Sequence, residues 1–252
     1  MLLLALLLAQ TPAAPAPVTW TGTAALGLIA LTGNAQTVTF STNGAFERKG
    51  PEWIWGVKAS AAYGEGTPAG GGESQVTALA GSLQARGDRR FSETLSLYLL
   101  LGVDADHLKS IEARPVAELG LSQIWFLRKE GDLEKTSFKT DLGLRVGREY
   151  RFQYYPSQKD LPDVDVLAPR LGLAYRYAFT KDVIFTEEAS ALVNLIGDTS
   201  GRTILTSTSK LSSHITTTVA FGVGFVVTHD TQPPPPKVET DTALTVGLEV
   251  GI

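Results

Sequence analysis

The residues that could do chemistry in this 252-residue chain are few in kind. Cysteine is absent, which excludes thiol nucleophiles, disulfides and cysteine-based zinc sites. Histidine occurs three times, as His107, His214 and His229, and no G-x-S-x-G elbow or triad spacing links one of them to a serine. No enzyme activity, catalytic residue or cofactor is therefore expected. Asp104, Asp106 and His107 sit close together, but the segment lacks the glycine and closing glutamate of a calcium loop, so no metal site is expected either. What remains is charge. Arg114, Glu118, Lys139, Asp141, Arg145, Arg170, Arg176 and Glu188 recur inside apolar segments, at even separations wherever one segment holds several. Charges confined to one face of an apolar segment suit ion pairing and the lining of a watery passage rather than covalent catalysis.

Strands must position them. From Thr136 to Val146 the even positions are Thr, Phe, Thr, Leu, Leu and Val, while the odd ones are Ser, Lys, Asp, Gly and Arg. A period of two means a strand with one apolar and one polar face. Residues 241–252 repeat the pattern. Twelve such runs occur, near 18–31, 35–46, 53–63, 75–86, 91–102, 112–126, 136–147, 166–179, 183–195, 202–212, 215–227 and 241–252. Most reach the roughly 9 to 11 residues of a tilted membrane-crossing strand, against about 5 to 6 in ordinary sheets. The fold class read from this is all-β: a transmembrane antiparallel up-and-down β-barrel of about 12 strands, with residues 17–252 as one domain.

The connections after the second, fourth, sixth, eighth and tenth runs are mostly short and charged, whereas those after the third, fifth, seventh and eleventh are longer. Outer-membrane barrels keep short turns in the periplasm and longer loops outside, and an even strand number returns both termini to the periplasm. Trp20, Trp53, Trp55 and Trp125, with Tyr175 and Tyr177, fall near the short-turn ends on the apolar parity. They read as an interfacial girdle, with Tyr63 and Phe225 the clearest aromatics at the other end.

Alternation does not say which face is inside, because a soluble sandwich or lipid-carrying barrel shows the same period. Strand length, the end-placed aromatics and the charged polar face favour a wet lumen. On that reading the eight charged residues line the lumen, five cations against three anions, pairing across adjacent strands and leaving a mild preference for anions.

The net charge of −4 and pI near 5.5 leave no basic surface for nucleic acid. Residues 2–9 form an apolar run of signal-peptide length, too short to span a bilayer, so residues 1–16 are expected to be an export signal cut at an Ala14-x-Ala16 site, with Ala9 and Ala14 as alternatives. The expected location is the outer membrane of a Gram-negative bacterium. The expected partners are outer-membrane lipid and lipopolysaccharide, with the barrel-assembly machinery during biogenesis, and the chain is expected to be a monomer. The leading functional expectation is a narrow pore or an envelope structural protein. The alternatives are a surface enzyme or adhesin using the outer loops, and a soluble periplasmic binding module.

Several short motifs point to a family. Trp20-Thr21-Gly22, Leu31-Thr32-Gly33-Asn34, Asp106, the Pro233 to Pro236 stretch, Thr240-Asp241-Thr242-Ala243-Leu244 and Gly247-Leu248 occur in this order over nearly all of residues 18–252. With that spacing the chain resembles the salt-induced outer-membrane protein (YdiY-like) family, of unknown function. The resemblance implies a Gram-negative outer-membrane barrel. One departure is the carboxyl end, where Val250 and Ile252 stand at positions that such barrels usually fill with aromatics.

Overall fold

The computed structural model describes residues 18–31, 36–67, 73–154, 157–234 and 237–251. The expected export segment, Thr32-Gly33-Asn34, Pro235, Pro236 and Ile252 lie outside them. The strands are β1 (Thr19–Leu31), β2 (Gln36–Lys49), β3 (Trp53–Thr67), β4 (Gln75–Arg90), β5 (Leu95–Asp106), β6 (Ile111–Glu130) and β7 (Leu133–Gln153). They continue with the two-residue β8 (Lys159–Asp160), then β9 (Val164–Ala178), β10 (Val183–Val193), β11 (Thr203–His214), β12 (Val219–Asp230) and β13 (Thr240–Gly251). Each wall strand pairs antiparallel with its neighbours in sequence, β7 pairs with β9 past β8, and β1 closes on β13. The result is a closed, up-and-down barrel of twelve wall strands with no free sheet edge.

Exposure decides which face is inside. Leu26, Leu142 and Leu244 are 59%, 63% and 58% exposed on the outer surface, while Glu118 and Glu149 are 1% and 0% exposed within. The largest fully buried side chains are Tyr98, Glu118, Glu149 and Ser110, three of the four being polar or charged and the fourth a phenol. A water-soluble protein buries its apolar side chains and exposes its carboxylates. This barrel does the reverse, as a hydrocarbon surrounding requires.

Strand ends differ from the sequence reading in several places. The loop expected after the fifth run is a tight turn, because β5 runs to Asp106 and β6 starts at Ile111, with Ser110 at a φ of 61°. Asp104 and Asp106 are therefore strand residues. The connection expected over Leu127 to Lys135 is mostly strand, closed by the two-residue turn Gly131-Asp132. Gly131 has a φ of 62°, which suits the first central position of a hairpin turn. Bulges at Ile124/Phe126 and Arg128/Lys129 break the period of two there and hide the extension. At the other end β7 continues to Gln153, so Tyr150 belongs to the wall rather than to an outer loop.

The four tryptophans face outward at the short-turn ends. Trp20 packs against Phe46 with ring centroids 5.3 Å apart, Trp53 stacks on Trp55 at 5.5 Å, and the Trp125 indole donates to Thr140 Oγ1 at 3.0 Å. Tyr177 meets Phe179 edge-on at 5.0 Å, and Tyr175 lies on the same outer parity of β9.

Candidate functional site

The lumen owes its chemistry to one consequence of the strand period. Where apolar residues take most outward positions, the alternate residues of β4 to β10 place charge inward, in water-poor space where an unpaired charge is costly. The structure meets that cost with layers of ion pairs.

The middle layer centres on Glu118 of β6. Its Oε1 accepts from the Tyr98 hydroxyl at 2.6 Å and from Arg170 Nη1 at 3.3 Å, and its Oε2 accepts from Arg145 Nη2 at 2.7 Å. Arg145 is the direct cross-strand partner of Glu118, whereas Arg170 reaches over β7 from β9. Alongside, Arg86 of β4 spans to Asp141 of β7 at 2.5 Å while holding its own-strand neighbour Asp88 at 2.7 Å. The Arg86 guanidinium lies 3.9 Å from the centre of the Tyr98 ring, and Lys139 adds a longer 3.8 Å contact to Asp141.

Tyr98 fits only because two glycines face it. Gly120 and Gly143 are cross-strand partners, and a Cβ built on them would lie 2.7 Å and 2.5 Å from the Tyr98 hydroxyl. The phenol thus covers bare backbone on β6 and β7, the arrangement in which an aromatic ring compensates a glycine in a sheet.

A second layer lies toward the longer loops. Glu149 accepts from Arg151 Nε at 2.5 Å, Arg114 Nη1 at 3.1 Å and Arg202 Nη1 at 3.3 Å. Arg114 also holds Asp104 at 2.9 Å, and Arg202 holds Asp230 at 2.5 Å. At the mouth Lys109 bridges 3.3 Å to Asp241 on β13, across the barrel from its own turn. Beside it His107 stacks on Tyr154 at 4.1 Å, with Phe152 edge-on to Tyr154 at 4.7 Å. Partial burial, then the nearby Glu112 carboxylate that accepts its hydrogen bond, push the Tyr154 phenol up.

Toward the short turns the packing opens. A cavity of about 820 Å³ is lined by Lys58, Gln84, Asp88, Lys139, Thr208 and Glu188 among others, with Arg86, Asp141 and Arg170 at its inner end. Lys58 of β3 and Glu188 of β10 meet at 3.3 Å, a pair formed between opposite walls. Arg176 donates to the Glu134 carbonyl at the cavity's rim.

All eight charged positions singled out in the sequence, Arg114, Glu118, Lys139, Asp141, Arg145, Arg170, Arg176 and Glu188, lie on the inward parity of their strands. The structure does not make them one site: Glu118, Arg145 and Arg170 share one layer, Arg114 belongs to another, Lys139, Asp141 and Glu188 line the cavity, and Arg176 reaches only the Glu134 carbonyl at its rim. Pairing was expected across adjacent strands, but the Arg86–Asp141, Arg170–Glu118 and Lys58–Glu188 pairs skip one or more strands. Sequence reasoning missed Lys58, Arg86, Asp88, Asp104, Glu149, Arg151, Arg202 and Asp230. These add four cations and four anions, which balance one another.

The histidines stand apart from the network: His214 Nδ1 lies 3.2 Å from the Asp182 carbonyl and His229 Nδ1 lies 2.9 Å from Thr240 Oγ1. Among the described residues no group of three or more His, Asp or Glu side chains is placed to hold a metal ion.

Known structures of similar shape are bacterial membrane barrels. The translocator domain of the autotransporter NalP from Neisseria meningitidis has a TM-score of 0.48 at 10% identity, covering 92% of this chain and 87% of that one. KdgM porin gives a TM-score of 0.44 at 10% identity, with 92% and 98% covered. An anion-selective porin from Comamonas acidovorans gives 0.42 at 8% identity, with 94% and 99% covered. These are distant likenesses. No curated protein matches the sequence. A family model does match, over residues 24–252, and by it the chain belongs to the family described as protein of unknown function, DUF481.

Proposed function

We propose that the protein is a narrow pore of the Gram-negative outer membrane, held nearly closed by its own ion-paired lining. The cavity of about 820 Å³ carries this reading: it opens among the short turns, is lined by charged and hydroxyl side chains, and ends against Arg86, Asp141 and Arg170. A lumen meant only to stabilise the wall gains nothing from a wet vestibule, whereas a pore needs an entrance that replaces part of an ion's hydration. By the rule that short turns face the periplasm, the vestibule opens to the periplasm. The reading includes export by the N-terminal segment, assembly by the barrel machinery, a monomeric state, a belt of lipid and lipopolysaccharide, and no catalysis.

A second reading has its own observation. The Glu118 and Glu149 layers tie inward side chains from β4 round to β12 together, which suits a sealed structural barrel. Planar-bilayer recording in a KCl gradient separates the two. The pore reading expects a small conductance with mild anion selectivity, and silence from protein shown to be folded leaves the sealed barrel.

A further inference from the structure

The inference concerns the outer surface and rests on the membrane reading above. β10 turns one carboxylate away from the lumen. Glu188 faces the cavity, so Glu187 faces out, on the parity of Phe185 and Ala189. Glu187 Oε1 accepts from Ser207 Oγ at 2.6 Å and its Oε2 accepts from Ser209 Oγ, both on the outer face of β11 between the exposed Leu205 and Leu211. Among the described residues no lysine or arginine forms an ion pair with it. A carboxylate on the lipid-facing side of the wall, at the level of the aromatic girdle, stands out among apolar neighbours and marks a candidate site.

The second observation lies directly beside it. A groove of about 350 Å³ runs over the outer surface between Leu171, Leu173, Ala189, Ala191, Leu205 and Ser207. It exists because β10 carries alanines where its neighbours carry leucines, and the surface it offers is mainly apolar, with Val227 and His229 of β12 on its far side. Ser207 belongs to both features, lining the groove and donating to Glu187. The direction is also informative. β10 starts at the short-turn end, and Glu187 pairs across to Tyr175 of the aromatic girdle, while Ala189 and Ala191 lie deeper in the belt. A molecule with its polar end at Glu187 and its tail in the groove therefore points from the periplasmic interface toward the membrane centre, as a lipid of the periplasmic leaflet does.

We infer that Glu187 and this groove form a site for a phospholipid with a primary-ammonium headgroup. A compact ammonium offers three N–H donors to a carboxylate whose two oxygens already accept from serines, an acyl chain fills the alanine-floored groove, and the carboxylate gains the counter-charge the protein does not supply. A purely anionic headgroup is repelled, and a trimethylated one has no N–H to give.

The test uses folded full-length protein, wild type and Glu187→Gln, floated with vesicles that contain phosphatidylethanolamine, phosphatidylcholine and phosphatidylglycerol in equal parts, then released for native mass spectrometry. The wild type should retain the ethanolamine lipid about fivefold over the choline lipid, and Glu187→Gln should bring the ratio near one, the scale of a single partly exposed charge pair. Ala191→Leu, which fills the groove and keeps the carboxylate, should reduce retention of all three lipids. Equal retention by the wild type, or a preference that survives Glu187→Gln, overturns the site while the membrane reading stands. A dimer mass that Glu187→Gln abolishes also overturns it, by giving the face to a second copy. Failure of both proteins to float overturns the membrane reading and this site with it.

Discussion

The Tyr98 hydroxyl donates a 2.6 Å hydrogen bond to Glu118 Oε1, and neither side chain is exposed by more than 1%. The phenol is thus an internal strut that joins β5 to the carboxylate gathering Arg145 and Arg170. Tyr98→Phe keeps the ring over Gly120 and Gly143 but removes the donor. It should cost about 1.5 to 3 kcal/mol, as for a hydrogen bond to a charged group. The guanidinium midpoint of the detergent-solubilised barrel reads it, and an unchanged midpoint shows that the bond contributes nothing.

Gly143→Ala tests the space beneath that ring. A methyl group there would meet the Tyr98 hydroxyl at 2.5 Å and Glu118 Cγ at 3.1 Å, so the strut must shift. Overpacking of this kind costs about 1 to 3 kcal/mol. In Tyr98→Phe the hydroxyl clash is gone, so the same substitution should cost less; equal cost in both backgrounds would place the strain elsewhere.

Glu118→Leu removes the partner of two arginines at once. Breaking a buried pair from one side costs about 3 to 5 kcal/mol because it leaves charge uncompensated. The folded fraction, read from the mobility difference between unheated and boiled samples, should fall sharply, and further combination with Arg145→Leu should restore part of it. If the double substitution is worse than the single one, Arg145 is not the group left stranded.

Arginine scanning checks the two faces of the wall. Leu97 and Leu144 face outward, 36% and 48% exposed, whereas Ser96 faces the lumen within 3.5 Å of Asp88. Arginine should cost about 2 to 4 kcal/mol at Leu144, at mid-depth, and less at Leu97 opposite Arg89 near the girdle, while at position 96 it can hydrate and pair. Folding yield in lipid vesicles distinguishes them, and equal tolerance at all three positions would contradict the orientation of the wall.

Much of this was legible because a barrel repeats one simple rule. The alternation in Thr136 to Val146 announces β7, and it resumes beyond Arg148 through Glu149, Arg151 and Gln153, so the second ion-paired layer was also present in the pattern. Arg148, standing on the apolar parity, obscured it by interrupting the period. Bulges near Phe126 hid the length of the β6–β7 hairpin in a similar way, by breaking the period within a strand. Periodicity gives a residue its face but not the wall it will meet. Lys58 and Glu188 lie 130 positions apart, and their contact depends on barrel diameter and stagger, which no local pattern encodes. Which face is inside likewise needed exposure, since inverting the barrel leaves the sequence pattern unchanged.

The claim that the lumen is a narrow pore restrained by its ion pairs is tested most directly by single-channel recording of the folded protein in planar bilayers under a KCl gradient, beside the paired variant Arg86→Ser with Asp141→Ser. That variant removes the inner end of the cavity and both charges of its pair, while Asp88, which loses Arg86, keeps the Ser96 hydroxyl and faces the cavity. The account predicts a small, mildly anion-selective conductance for the wild type, and at least about a twofold larger one for the variant, since side chains crossing a lumen set its width and charge. Cation selectivity, or silence from both proteins when each is shown to be folded and inserted, would contradict it.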